Sequence, residues 1–192
     1  MVRENIDWPE FLARQDMIRQ RIPRDWYEGA FTGNGLLGSM IYAEEEEGEI
    51  AGLRFDVGRA DVVGAPSDSP YDCPPRIPIG RYILRPSGSI TGGTAHLDLH
   101  NAEARGVVET TQGTVRWRCI THATDDVTLI EVAASENEQG TSLGCVIEEH
   151  SGVRDESEDG YNRHIVTLND GNEIAIAERR IVLAPGHWVI AY

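Results

Sequence analysis

The chain is poor in cysteine, in cationic side chains and in long apolar runs, and each shortage removes a class of function. Cys73, Cys119 and Cys145 are its three cysteines in 192 residues. An odd, sparse set offers neither a disulfide framework nor a paired Cys-x-x-Cys zinc site, so all three read as free thiols. Lysine and arginine number 17 against 32 aspartates and glutamates, a net charge of -15. Such a surface repels nucleic-acid phosphates and anionic lipid headgroups, and neither nucleic acid nor membrane is an expected partner. No apolar run approaches the ~20 residues that span a bilayer. No signal peptide precedes Asp7, which suits a cytoplasmic chain or a secreted one whose leader has been removed. Cofactor motifs are missing as well. There is no GxGxxG before a helix, no phosphate loop ending in Lys-Ser/Thr, no nucleophile elbow and no Ser-His-Asp order, so no cofactor is expected.

What is present is ordinary globular composition, 40% hydrophobic and 26% charged, in a length that suits a single domain over residues 1–192. One helix is expected, at about residues 7–21. Asp7 can cap it, Pro9 suits the first turn, and Glu10 completes a capping box. Trp8, Phe11, Leu12, Ile18 and Ile22 recur near one face, and Pro23 stops it. Beyond that the period is two. In LRFDVGRADVV (53–63), Leu53, Phe55 and Val57 alternate with Arg54 and Asp56, and Gly58 suits a bulge. In TVRWRCIT (114–121), Val115, Trp117 and Cys119 alternate with Arg116 and Arg118. Residues 127–133 form a nearly continuous apolar strand, and further short strands are expected through to Tyr192. Residues 65–78 hold five prolines and read as a surface loop, and Glu44–Glu47 as a solvated acidic hairpin tip. Many short strands separated by turns imply an all-β, antiparallel sandwich with one N-terminal helix.

The stretch Trp26–Met40, WYEGAFTGNGLLGSM, organises the rest. Gly33-Asn34-Gly35 reads as a tight corner feeding a buried strand of Leu36, Leu37, Met40 and Ile41, or else as a ligand cradle. Trp26, Tyr27 and Trp188 could stack on sugar rings or fill the core. Arg59 and Asp61 share a strand face, where they could hold each other or bind hydroxyls. Trp26, Asn34, Arg59 and Asp61 are therefore the candidate substrate-binding residues.

Catalytic arrangements are weaker. Glycoside hydrolysis needs two opposed carboxylates roughly 5–9.5 Å apart. Glu148-Glu149 face opposite sides of a strand, and Asp125-Asp126 suit a turn, so no catalytic residue is assigned. His96, Asp98 and His100 could share a strand face at metal spacing, but solvent-facing histidines on a strand are the favoured reading. Asp155-x-Ser157-x-Asp159-Gly160 imitates half a calcium loop, but Val166 stands where the bidentate glutamate belongs, and an acidic hairpin loop is expected instead. No metal is assigned. His122 lies three residues after Cys119, and alternation separates them.

The motif W-x-E-x-x-x-x-GNG-x-LG-x-M (26–40) resembles the opening of family 95 glycoside hydrolases, the α-L-fucosidases. It is followed in order by LRFDVGRADV (53–62), PIGRYIL (78–84), HLDLHNAEARG (96–106) and the segment Thr110–Val132. The likeness is closer still to a related N-terminal domain of large bacterial glycosidase-like proteins, and residues 8 to about 135 carry it. The resemblance implies a large β-sandwich of the supersandwich type, packed through a helical linker against a C-terminal (α/α)6 barrel that carries the catalytic acids. No barrel follows in this chain, so no catalytic position is carried over. The expected function is a non-catalytic N-terminal domain that supports a carbohydrate site on the helical domain. A free-standing carbohydrate-binding or interaction module is the alternative, and a small metalloenzyme centred on His96, Asp98 and His100 is the third class.

Overall fold

A computed structural model describes residues 6–63, 76–147, 153–158, 161–167, 173–184 and 187–191. A short helix, α1 (Trp8–Ala13), leads into β1 (Met17–Arg19), β2 (Ala30–Gly33), β3 (Leu37–Glu46), β4 (Glu49–Val63), β5 (Arg76–Arg85), β6 (Ile90–Asp98) and β7 (Glu103–Thr110). Then come β8 (Thr114–Thr121), β9 (Thr128–Ala134), β10 (Ser142–Ile147), β11 (Val153–Glu158), β12 (Tyr161–Thr167), β13 (Glu173–Ala184) and β14 (His187–Ala191). The strands form two antiparallel sheets. Five strands lie in the order β10-β5-β4-β3-β2, and nine in the order β1-β6-β7-β8-β9-β14-β13-β12-β11.

The alternation read from the sequence builds the core between the sheets. From the five-stranded sheet Ala30, Leu37, Ile41, Leu53, Phe55 and Val57 point inward, and from the nine-stranded sheet Val108, Val115, Trp117, Cys119, Ile130 and Val132 meet them. Phe55 packs edge-on against Trp117 with ring centroids 5.8 Å apart, a geometry in which the positive ring edge meets the negative ring face. At one end of this core the packing turns polar. The Thr32 hydroxyl lies 2.8 Å from that of Thr121 and 3.7 Å from the Cys119 sulfur.

Four expectations need correction. The helix ends at Ala13 rather than near residue 21. Its start is as expected, with Asp7 Oδ1 accepting the Glu10 amide at 3.2 Å. None of its residues is buried, however, and without a packed face a helix this short has nothing to extend it. Asp16 instead accepts the Leu99 amide at 2.9 Å and bonds His96 Nε2 at 2.8 Å. That draws Met17, Ile18 and Arg19 into register with β6 as an edge strand. Second, Leu36 and Met40 are not core residues. Leu37 and Ile41 are buried, and strict alternation turns their neighbours outward. Third, the acidic tip narrows to Glu47-Gly48. Glu44 to Glu46 belong to β3, where Glu44 pairs with Arg54 at 3.2 Å. Fourth, Asp155 and Ser157 lie in β11, which forms a hairpin with β12, not in a loop. Most of the proline-rich loop and the Glu148-Glu149 pair fall outside the described residues.

The two outer faces differ in kind. On the nine-stranded sheet a cross-strand row of His96, Arg105, Arg118 and Glu131 carries charge from strand to strand. Arg105 and Arg118 both bond the buried Glu103, at 2.9 and 2.6 Å. On the five-stranded sheet one end of the outer face bears almost no charge, and the candidate site lies there.

Candidate functional site: a glycine-floored groove

Corner and groove both follow from the chain between Trp26 and Met40. A single 3-10 turn, Trp26–Glu28, docks on β3 through Gly29, where an added Cβ would stand 2.7 Å from the Ile41 carbonyl oxygen. No other residue permits that approach. β2 then runs to the corner, where Gly35 has φ +96°, a conformation only glycine adopts without strain.

Asn34 closes the corner with its whole side-chain amide. Oδ1 accepts the amides of Leu36 and Leu37 at 3.0 and 2.8 Å. Nδ2 donates to the carbonyls of His122 and Asp125, at 3.0 and 3.3 Å, in the loop between β8 and β9. Arg59 grips the same loop. It donates to both Asp61 oxygens at 2.8 and 3.2 Å and to Asp126 at 2.7 Å. The hydrogen bond with Asp61 is the main cause that raises the Arg59 pKa, and it holds the Asp61 carboxyl below its ordinary value. Asn34 and Arg59 thus act as clasps between the five-stranded sheet and that loop, with Asp61 holding Arg59 from the same strand.

Trp26 has the opposite environment. It is 63% exposed and meets Tyr27 edge-on at 5.8 Å. With Phe31, Leu36 and Met40 it lines an open groove of ≈ 1180 Å³ across the outer face of the five-stranded sheet. The floor is a cross-strand row of glycines, in which Gly33 pairs with Gly38 and Gly38 with Gly58. The next row is Phe31, Met40 and Asp56. Asp56 is the one carboxylate among the described groove residues, so two opposed acids are not on offer there. It accepts the Tyr42 hydroxyl at 2.7 Å and Arg54 Nε and Nη2 at 2.9 and 2.7 Å. Arg54 lies over the Tyr42 ring, 4.9 Å from its centroid. Burial, then the hydrogen bond to Asp56, push the Tyr42 phenol up to about 12. The groove therefore runs from bare backbone through an apolar wall to a fixed polar bank. Such a surface suits a ligand with a flat apolar face and hydroxyls at its edge.

Sequence reasoning found Trp26 but missed Phe31, Leu36, Met40 and Gly58. The signal was available, because counting by two from the core residues Ala30 and Phe55 places Phe31, Asp56 and Gly58 on the outer face.

The other candidates are taken up structurally. His96 is spent on Asp16. Asp98 accepts the amide and side chain of Asn101 and also Arg105, which together lower its pKa to about 2. His100 lies beyond β6 in a turn. Among the described residues no group of three His, Cys, Asp or Glu side chains is arranged to hold a metal ion, and no helix is long and apolar enough to cross a membrane. Cys119 is wholly buried, its thiol pushed up to about 12 by that burial, while His122 bonds Asp125. Compared with protein-family models and with curated protein sequences, the chain matches none.

Proposed function

We propose that this chain is a non-catalytic β-sandwich domain of a glycoside hydrolase-like protein, and that its groove supports a carbohydrate site completed by a C-terminal helical domain. The observation that carries this reading is the strip of exposed Trp26, Phe31 and Leu36 with half-buried Met40, beside a glycine floor. Contiguous apolar surface of this kind on an otherwise charged sandwich marks a place where something binds. The ordered motifs from Trp26 to Val132 supply the class of protein. A second reading, a free-standing carbohydrate-binding module, draws support from the groove walls, which this chain supplies by itself.

The test is retention of the chain on immobilised neutral oligosaccharides, with Trp26→Ala and Phe31→Ala beside it. Retention lost in both variants at unchanged melting temperature is the expected result. A chain retained by no glycan overturns the reading. Turnover of a panel of nitrophenyl glycosides, the α-L-fucoside included, would overturn its non-catalytic part.

A further inference from the structure

Gly58 sits where the pairing of β4 with β5 shifts register, yet neither its backbone angle nor its described neighbours demand a glycine there. Its φ lies outside the left-handed region, and among the described residues no atom stands within 4 Å of where its Cβ would be. The other two floor glycines differ. A Cβ at Gly33 would meet the Leu37 carbonyl oxygen at 3.3 Å, and one at Gly38 would meet the Thr32 carbonyl oxygen at 3.1 Å. Those two are held small by neighbouring backbone. Glycine in a strand interior is destabilising relative to alanine, and at Gly58 no contact among the described residues offsets that. What the missing side chain does provide is an unobstructed floor from β2 to β4. Adjacent strands lie about 4.8 Å apart, so the three glycines clear a strip about 10 Å across.

The charge around this strip narrows the ligand. Arg59, the one cation among the described groove residues, is already neutralised by Asp61 and Asp126. Asp56 is paired with Arg54, but that one cation is shared with Glu44, so this bank keeps a net negative charge, and the whole chain carries -15. A uronate or a sulfated sugar would meet uncompensated negative charge. A neutral pyranose chain would not. Its CH faces can lie on the Trp26 and Phe31 rings, and its hydroxyls can reach the Asp56 carboxylate, whose lone pairs outnumber the three hydrogen bonds it accepts.

We infer that Gly58 is a specificity-determining position, kept free of a side chain so that a neutral, unbranched pyranose oligosaccharide lies flat across β2, β3 and β4. This inference rests on the carbohydrate reading above. It excludes acidic glycans, and it excludes branches at the sugar that crosses Gly58.

The experiment compares the chain with Gly58→Val and Gly144→Val on arrays carrying neutral, branched, uronate and sulfated oligosaccharides, with a melt of each variant. Gly144 is the control, because no described atom lies within 4 Å of its Cβ position either, and it lies on β10, outside the groove. Gly58→Val is expected to melt no lower than the parent and to weaken retention on neutral unbranched chains by about tenfold or more. Gly144→Val is expected to change neither. Should Gly58→Val melt lower, Gly58→Ala replaces it, with the same loss expected at smaller size. Equal retention by parent and Gly58 variants overturns the inference and leaves the carbohydrate reading standing. Preference for the uronate or sulfated arms overturns the assignment of a neutral ligand. No retention of the parent on any arm overturns both.

Discussion

The side-chain amide of Asn34, at the corner between β2 and β3, donates across 3.0 Å to the main-chain carbonyl of His122, in the loop that joins β8 and β9 of the opposite sheet. One amide thus does two jobs. Its oxygen shapes the corner through Leu36 and Leu37, and its nitrogen ties that corner to the loop between β8 and β9. With Arg59 holding Asp126 nearby, the loop is fastened at two points.

Asn34→Ala is therefore expected to destabilise the fold by about 1 kcal/mol, since it removes both arms while water can replace the exposed bonds. Asn34→Asp is the sharper variant. It keeps the acceptor for Leu36 and Leu37 but turns a negative oxygen toward the carbonyls of His122 and Asp125. It should melt below the parent despite its similar shape. An aspartate variant as stable as the parent would show that the donor arm contributes nothing.

A second fastening lies at the far side of the core. Glu138 is completely buried, and its carboxylate accepts the Ser87 amide at 2.7 Å, the Gly88 amide at 3.1 Å, the Thr141 hydroxyl at 3.2 Å and the Thr110 hydroxyl. Burial by itself raises the pKa of this group, but those four donors outweigh it, and the net direction is below the ordinary 4.5. A carboxylate with a depressed folded pKa contributes stability that is present above the unfolded value and lost as pH falls through the folded one. Glu138→Gln should accordingly melt lower than the parent at neutral pH, with a gap that closes as the solution is acidified below about pH 4.5. A gap that stays constant through the acid range would mean the carboxylate is not held ionised by these donors.

Cys119 should be chemically silent in the native protein. Its sulfur is fully buried, and its thiol is pushed up to about 12, whereas alkylation needs an accessible thiolate. Peptide mapping after iodoacetamide treatment is expected to find Cys119 unmodified in buffer and modified in denaturant. Half-buried Cys145 serves as the internal comparison. Native labelling of Cys119 ahead of Cys145 would contradict the packing between the sheets.

The legible part of this fold was the part governed by period two. Val115, Trp117 and Cys119 alternate in sequence and are buried together. Leu53, Phe55 and Val57 behave likewise, and the pairing register shifts at Gly58, where a bulge was expected. The helix was misread because its apolar period is genuine up to Leu12, while its end depends on Asp16 finding Leu99 and His96 far along the chain. No local pattern reveals such a partner. The groove was hidden for a related reason. Trp26 and Phe31 look like core residues in sequence, and their exposure follows only from the register that puts Gly33, Gly38 and Gly58 side by side. Arg59 and Asp61 were legible as a pair, whereas their link to Asp126 was not, because it joins the two sheets.

Gly35 and Gly58 should respond oppositely to the same substitution, for a reason visible in the backbone. Neither has a described atom within 4 Å of its Cβ position, so space does not separate them. Gly35 has φ +96°, and Gly58 does not share that left-handed conformation. A β-branched residue at Gly35 must either adopt a conformation that L side chains avoid or open the corner that Asn34 closes. Gly35→Val is expected to cost more than about 1 kcal/mol, a fall in melting temperature of about 2–4 °C for each kcal/mol in a chain of this size. Gly35→Asn should cost less, because asparagine tolerates positive φ better than any β-branched residue. Gly58→Val gains β-propensity and loses nothing in backbone strain, so its melt should hold or rise. Thermal melts of the three variants decide the matter. If Gly35→Val and Gly58→Val shift the melt equally, the positive φ at Gly35 is not what shapes the corner.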